Sequence, residues 1–276
     1  MTLLFKLLSR FPLWLLHGLG WALGWIVFAV SASYRQRLLA NAALAGYSFA
    51  QVRAAVGQAG CMSAELPRLW LGAPVALRWQ GADCLERALQ TGRGIVFLTP
   101  HLGCFEVTGQ AIAQRFGAQM GPLTVLYRPA RKPLLAKLMQ GARERVGLNF
   151  VPTNLSGVRL MIKALRQGHA VGLLPDQVPP QGMGQWAPFF GRDAYTMTLG
   201  ARLAQQTGAT VLLAWGERLS WGRGYTLHFR EMNAALSGEL DAAVLQINQA
   251  MEGLIRECPQ QYLWAYARYK QPRGET

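Results

Sequence analysis

The chain has 276 residues, of which 51% are hydrophobic and only 15% are charged. That length supports a sizeable core without disulfides, and the four cysteines lack the CxxC or zinc-ligand spacing of a redox or metal site. With 28 Lys and Arg against 14 Asp and Glu, the net charge of +14 predicts an anionic partner. Nucleic acid is a poor candidate, because the sequence has no RNP motif, zinc finger or lysine-rich tail. No metal or cofactor is indicated.

The amino-terminal stretch from Phe11 to Ser33 contains no Asp, Glu, Lys or Arg. A segment of this length, with about 20 apolar residues, can cross the hydrocarbon core of a bilayer. A cleaved signal peptide would have a shorter apolar region, and a buried core helix would rarely stay uncharged for so long. We therefore predict a membrane anchor over residues 1–33, either spanning the bilayer or embedded in one leaflet. Basic residues on both sides leave its orientation open.

Residues 34–91 are predicted to form a helical connecting region, which opens with the basic amphipathic segment "YRQRLLANAALAGYS". From residue 92 to residue 276, strand-like and helix-like segments alternate. The clearest strands are "GIVFLTP", "PLTVLYRP", "HAVGLLPDQ", "TVLLAW" and "GYTLHFREM". Helices are predicted from Phe105 to Gly117 and in "PLLAKLMQGARERVG", "SGVRLMIKALRQG", "TMTLGARLAQQTG" and "LDAAVLQINQAMEGLIREC". The alternation predicts an α/β catalytic domain with a largely parallel central sheet flanked by helices.

Ionisable side chains follow three of these strands, at the points where the strands end. They are His101, Arg128 and Asp176. In open α/β sheets, ligand sites form beyond the carboxyl ends of the strands. The sequence therefore predicts that the three residues share one cleft.

His101 and Glu106 are five residues apart, which on a single helix would separate their side chains by about 140°. They can meet only if His101 lies in a turn and Glu106 lies in the first turn of the next helix. A carboxylate on one imidazole nitrogen would then leave the other nitrogen as a general base. The spacing alone equally allows a turn histidine followed by a helix amino-terminal acid. Cys104 lies between them, but nothing else in the sequence supports a cysteine nucleophile.

Five motifs occur together and in order: "TPHLGCFE", "VLYRP", "GLLPDQ", "FFGRDAYTMTLGARLAQQTGA" and "QYLWAYARYKQPRGE". In this arrangement the whole chain resembles the lauroyl/myristoyl acyltransferase family of lipid A biosynthesis. That family belongs to the wider group of glycerolipid acyltransferases with a His-x4-acid motif. The resemblance implies a glycerolipid-acyltransferase-like α/β fold with an amino-terminal membrane-anchoring helix.

The resemblance also implies roles for individual residues. His101 would be the general base for an acceptor hydroxyl, and Glu106 would be its partner, with no covalent enzyme intermediate. Arg128 would contact an anionic group such as a phosphate. Asp176, with Gln177, would shape the same pocket.

The implied reaction moves a fatty acyl chain from acyl carrier protein to a hydroxyl of a lipid A precursor, at the bacterial inner membrane with the catalytic domain facing the cytoplasm. Coenzyme A stays open as the donor. A lysophospholipid or an amino-acid-based lipid stays open as the acceptor. A non-catalytic basic membrane protein that binds acidic lipid is the alternative from another class.

Overall fold

A computed structural model describes residues 2–127 and 147–274 of the chain. The predicted helix "PLLAKLMQGARERVG" and the candidate residue Arg128 lie outside these ranges, apart from Gly147 at the end of that helix. The described residues form an α/β fold, as the alternating pattern predicts.

The centre of the fold is a seven-stranded, mostly parallel sheet in the described part of the chain. Its strands are β1 (Leu77–Gln80), β2 (Ile95–Leu98), β3 (Leu123–Tyr127), β4 (Leu148–Pro152), β5 (Ala170–Leu173), β8 (Thr210–Arg218) and β9 (Tyr225–Glu231). They lie in the order β1-β9-β8-β2-β5-β3-β4. From β8 to β4 all neighbours are parallel, whereas β9 runs antiparallel to β8 and carries β1 parallel to itself. A separate hairpin joins β6 (Gly184–Phe189) to β7 (Arg192–Met197).

Helices cover both faces of this sheet, so the central strand β2, "IVFL", is buried along its whole length. The helices are α1 (Thr2–Leu8), α2 (Leu13–Val30), α3 (Ala32–Leu44), α4 (Phe49–Val52), α5 (Ala54–Ala64), α6 (Leu66–Leu71), α7 (Ala82–Gln90), α8 (Phe105–Met120), α9 (Leu155–Arg166), α10 (Leu199–Thr207) and α11 (Leu240–Glu257). The buried side chains form one apolar cluster on each side of the sheet, the larger one beneath α9, α10 and α11.

Some elements differ from the sequence prediction. β1 lies within residues 34–91, predicted to be helical and connecting, yet it pairs with β9 in the central sheet. Its four residues alternate between half-buried and exposed, and so short an edge strand leaves almost no periodic signal. The helix predicted from Thr196 starts only at Leu199, because β7 continues through Met197 in register with β6. The division of the chain into residues 1–33, 34–91 and 92–276 stays a prediction.

The predicted anchor, residues 1–33, includes the short helix α1 and the long apolar helix α2. The candidate membrane helix is α2. It is long and apolar enough to cross a membrane by length and composition, and only 22% of its residues are buried. Its buried side meets α5 through glycines: a Cβ on Gly20 would lie 2.7 Å from Cys61 Cα, and one on Gly60 would overlap the carbonyl of Gly20. The two helices thus pack backbone to backbone, and the remaining circumference of α2 is apolar and exposed.

Candidate active site

The sheet brings two of the predicted site residues to one edge. β2 ends at Leu98 and is followed by the turn that carries His101, and β5 ends at Leu173 shortly before Asp176. β2 and β5 are adjacent and parallel, so their carboxyl ends lie side by side. His101 is in the turn and Glu106 is in the first turn of α8, as their spacing requires if both belong to one site.

Asp176 holds His101 with both carboxylate oxygens. Oδ2 accepts the backbone N–H of His101 at 2.8 Å, and Oδ1 lies 2.7 Å from ring Nδ1. Asp176 is 1% exposed. Burial alone would raise its pKa, but the charge and hydrogen bonds of His101, together with the charge of Arg268, lower the pKa of Asp176 below its usual value. An ionised carboxylate only accepts, so Nδ1 carries a proton toward Asp176, and in the neutral imidazole this tautomer leaves the lone pair on Nε2.

The lone pair on Nε2 faces Gln177. The side-chain Nε2 of Gln177 lies 3.0 Å from His101 Nε2 and donates to it in this tautomer. The imidazole therefore has an acceptor on one nitrogen and a donor on the other, with its ring edge-on to Phe105 at 5.2 Å between centroids. The histidine side chain keeps 15% of its surface exposed, which leaves a narrow approach for a reactant.

Glu106 is not the carboxylate that orients the imidazole. Its Oε1 accepts a hydrogen bond of 2.7 Å from the indole Nε1 of Trp70, a buried residue of α6. The acid nearest in sequence points from α8 toward α6, and Asp176 occupies the position beside Nδ1; a catalytic role of Glu106 as the partner of His101 stays a prediction. Residues 99–104, between β2 and α8, carry His101 and are called the histidine loop. Glu106 still lies within one helical turn of this loop, beside Phe105, which contacts the imidazole.

The backbone of the histidine loop is fixed by segments that are distant in sequence. The carbonyl of His101 accepts Leu263 N–H at 3.2 Å, and Gly103 N–H donates to the carbonyl of Gln261 at 3.1 Å. Gly103 has φ of +58°, and a Cβ there would overlap the carbonyl of Gly216. Only glycine fits this position, because the loop passes directly over the end of β8.

A buried ion pair lies directly beneath this loop. Arg218, at the end of β8, contacts both oxygens of Glu65 at 2.6 and 2.7 Å and donates to the carbonyl of Gly103 at 3.0 Å. The same carboxylate accepts from the hydroxyl of Tyr225 at 2.8 Å and lies 3.0 Å from a ring nitrogen of His17 in α2. Burial alone would raise the pKa of Glu65, but the Arg218 charge and hydrogen bonds lower it to about 2.

The sequence gives little sign of these supporting residues. Trp70 and Glu65 belong to a stretch that reads only as helical, and Arg218 directly follows Glu217 at the polar end of a strand. Cys104 is buried, and burial raises the pKa of its thiol well above the usual value, which disfavours a thiolate nucleophile. No group of three or more His, Cys, Asp or Glu side chains that could hold a metal ion occurs within residues 2–127 and 147–274.

Comparison with known protein families identifies a family over nearly the whole chain. The model of the family described as bacterial lipid A biosynthesis acyltransferase matches residues 2–271. This chain belongs to that family. The match includes the histidine loop, the Asp176 segment and the amino-terminal helices, so it covers every element that builds the site.

Named relatives within and near this acyltransferase family are distant. The chain is 28% identical over 199 residues to the lipid A biosynthesis palmitoleoyltransferase of Escherichia coli, covering 71% of this chain and 63% of that protein. It is 31% identical over 223 residues to the lipid A biosynthesis lauroyltransferase of the same organism, covering 78% and 70%. A phosphatidylinositol mannoside acyltransferase of Mycobacterium tuberculosis is 29% identical over 149 residues, covering 51% and 45%. The aligned region thus spans less than two thirds of the palmitoleoyltransferase.

Proposed function

We propose that this protein is a membrane-bound O-acyltransferase that transfers a fatty acyl chain from acyl carrier protein to a hydroxyl of a lipid A precursor. The observation that carries the proposal is the pairing of His101 Nδ1 with Asp176, which in the neutral imidazole makes Nε2 the acceptor at the edge of the sheet. Membership of the lipid A acyltransferase family supports the reaction class and the acceptor class.

In this mechanism His101 is the general base. The acceptor hydroxyl displaces the Gln177 amide from Nε2 and gives its proton to that nitrogen while its oxygen attacks the thioester carbonyl. Asp176 stabilises the imidazolium that forms, as the buried carboxylate does in other histidine-based sites. The tetrahedral intermediate then collapses: the C–S bond breaks, the ester C–O bond remains, and His101 returns its proton to the thiolate. No acyl-enzyme is formed.

Glu106 and Arg128 complete the proposed site. Glu106 lies beside the histidine loop in the first turn of α8, where a negative charge interacts favourably with the positive end of the helix dipole. We assign Glu106 to ordering this edge of the site, held by Trp70, and keep Arg128 as the residue that binds an anionic group of a substrate. The net charge of +14 supports an acidic carrier protein as donor and a phosphorylated lipid as acceptor.

The proposed location is the bacterial inner membrane, with the catalytic domain on the cytoplasmic side. The uncharged helix α2 with its exposed apolar surface supports membrane attachment. A cytoplasmic site fits the donor, because an acyl carrier protein is available to an enzyme on that side.

The test is acyl transfer by purified full-length protein, with acylated carrier protein and a lipid A precursor as substrates. We expect His101→Ala to lower kcat by roughly 10²–10⁴-fold, the usual contribution of a general base. His169→Ala, which removes a histidine at the opposite end of β5, is the control. Undiminished turnover by His101→Ala, with its fold intact, would refute the mechanism.

A different acceptor is the one alternative that an observation favours, since the mycobacterial relative is named for another glycolipid. The lipid A mass spectrum of a deletion strain separates the two. Loss of one acyl chain from lipid A supports a lipid A precursor, and an unchanged acyl count supports another lipid acceptor. Replacing acyl carrier protein by acyl coenzyme A in the purified assay identifies the donor.

A further inference from the structure

The amino-terminal helix α2 contacts other parts of the protein at both of its ends. At its start, Gly222 of the β8–β9 connection lies so close to Trp14 that a Cβ would overlap the Trp14 backbone nitrogen. Near its end, Phe28 stacks on Phe49 of α4 at 5.4 Å between ring centroids. Between these points its glycines lie against α5.

A helix that crosses a bilayer carries its two ends to opposite surfaces, about 30 Å apart. The β8–β9 connection, α5 and α4 contact α2 from its start to its end. Helix α3 then leads back to the catalytic domain, where Asn41 donates to the carbonyls of Trp264 and Tyr266 at 2.7 and 2.8 Å. Arg35 also closes the end of α2 by donating to the carbonyls of Phe28 and Ala29. A spanning α2 would therefore carry these charged and polar partners through the hydrocarbon.

The side of α2 that faces away from the domain is continuous with other exposed apolar groups. It presents Trp14, Leu19, Leu23, Ile26 and Val30, and α1 adds Leu3, Leu4 and Leu7. The turn at Ser220–Gly222 adds Trp221, which is 86% exposed and directly precedes the glycine that touches Trp14. Exposed apolar surface of this extent marks a contact with a protein or a membrane.

Charge favours the membrane as the occupant of this surface. The first 64 residues contain five basic residues and no acidic one, and Glu65 is the first carboxylate in the chain. Lys6, Arg10 and Arg223 are exposed around the apolar surface. Basic residues that border an apolar helix face, with tryptophans at its edge, are typical of helices that lie in an anionic membrane interface.

We propose that α2 does not span the bilayer but lies in the plane of one anionic leaflet, with α1 and the Trp221 turn as parts of the same membrane-contacting surface. The inference rests on the proposed membrane location and extends it. β8 is parallel to β2, so the Trp221 turn and the His101 loop are at the same edge of the sheet. The arrangement holds the candidate active site next to the headgroups, where a lipid acceptor presents its hydroxyls.

The test uses single exposed thiols, which the chain permits because its four native cysteines are all buried. Full-length Trp14→Cys, Leu23→Cys, Val30→Cys and Trp221→Cys are labelled with an environment-sensitive fluorophore and reconstituted into phosphatidylethanolamine–phosphatidylglycerol vesicles. Lipids with a nitroxide near the headgroup or deep in the acyl chain then quench each label according to its depth. Trp186→Cys, on the separate β6–β7 hairpin, is the matched control for an exposed tryptophan.

For an in-plane α2, the labels at 14, 23 and 30 are quenched to the same extent at one shallow depth. The label at 221 is quenched only by the headgroup-proximal nitroxide, and the label at 186 is not quenched. A deep label at 23 between shallow labels at 14 and 30 would show a spanning helix and overturn the proposal. An unquenched label at 221 would also overturn it, and Ser220→Cys, which keeps Trp221, repeats that measurement in case the substitution perturbs the turn.

Two further outcomes can be distinguished from membrane contact in the plane of one leaflet. Fluorescence that changes with protein concentration but not with nitroxide lipid would show that a second copy of the chain covers this surface, and would overturn the proposal. The quenching needs no substrate, so a failure of acyl transfer leaves it unchanged. Absence of quenching at every position would refute membrane attachment itself, while leaving the chemistry of the site to its own assay.

Discussion

Asp176 binds His101 twice, through the backbone N–H at 2.8 Å and through ring Nδ1 at 2.7 Å. The first contact fixes where the histidine loop lies relative to β5, and the second fixes the rotation and tautomer of the ring. A single carboxylate thus sets both the position and the protonation pattern of the base. Both contacts use a residue 75 positions away in sequence.

Replacing Asp176 by Asn should leave the loop in place but spoil the base. The Asn side chain has one acceptor oxygen, whereas Asp176 accepts from two N–H groups of His101. If the oxygen keeps the backbone N–H, the NH₂ group faces Nδ1 and favours the tautomer protonated on Nε2. We expect kcat to fall by about 10⁴-fold, as for the equivalent change in a serine protease triad. The measurement is steady-state acyl transfer, with Asp193→Asn, an exposed acid on β7, as the control. Full activity in Asp176→Asn would mean that Asp176 only holds the fold.

Trp70 should act on the reaction through Glu106. Trp70→Phe removes the indole N–H that Glu106 Oε1 accepts but keeps an aromatic ring stacked near Phe5. We expect kcat to fall and KM to change little, because the substitution removes one hydrogen bond from a carboxylate beside the proposed base without removing a substrate contact. In a double-mutant cycle with Glu106→Gln, the two effects should be less than additive. Strict additivity would show that Trp70 affects the site independently of Glu106.

The Glu65–Arg218 pair should make stability depend on acid pH. The folded-state pKa of Glu65 is about 2, against 4.5 when unperturbed, so its contribution is present above pH 4.5 and is lost as the pH falls toward 2. A shift of this size corresponds to roughly 3 kcal/mol. Glu65→Gln leaves Arg218 as an uncompensated buried charge and should cost about 3–5 kcal/mol at neutral pH.

The readout is the melting temperature in detergent from neutral to acid pH. The difference in melting temperature between wild type and Glu65→Gln should become smaller as the pH falls from 4.5 toward 2. Asp176, whose pKa is also lowered, is present in both proteins, so its titration does not contribute to this difference. Glu231→Gln, at an exposed pair with Arg87, should change stability by less than about 1 kcal/mol. A pH-independent difference would contradict the assigned pKa of Glu65.

The close contact between α2 and α5 gives a prediction that tests Gly60 of α5, with Gly18 of α2 as the control. Gly60→Ala forces a methyl group into the carbonyl of Gly20 and should destabilise the helix pair by about 1–3 kcal/mol. A Cβ at Gly18 meets nothing within 4 Å, so Gly18→Ala should be neutral or stabilising by up to about 1 kcal/mol. Thermal unfolding with protease sensitivity of α2 measures both. Equal stability of the two variants would show that α2 can separate from α5 at no cost.

The sequence predicts the α/β fold and the strand ends because both depend on local signals. "GIVFLTP" and "HAVGLLPDQ" are apolar runs closed by proline, and His101 and Asp176 follow them directly. The topology then brings these residues together, since β5 pairs with β2. Strand order is a non-local property, so the spacing of His101 and Glu106 could not show that Asp176, 75 positions away, lies beside Nδ1.

Residues that support the site are harder to predict because their signals are not periodic. Trp70 contacts Glu106 across 36 positions and Arg218 contacts Glu65 across 153. In the sequence, Trp70 reads as an apolar helix residue and Arg218 as the polar end of a strand. Only the tertiary structure shows that Trp70 donates to Glu106 of α8 and that Arg218 donates to the carbonyl of Gly103 in the histidine loop.

The bonds from Gln261 and Leu263 to the histidine loop have a consequence for biosynthesis. Leu263 emerges from the ribosome long after His101, and the loop lacks two of its backbone partners until then. The apolar helix α2 is synthesised earlier than these partners. If the protein acts as proposed, the loop becomes competent only once the chain extends past residue 263, and a polypeptide truncated before residue 261 is expected to be inactive.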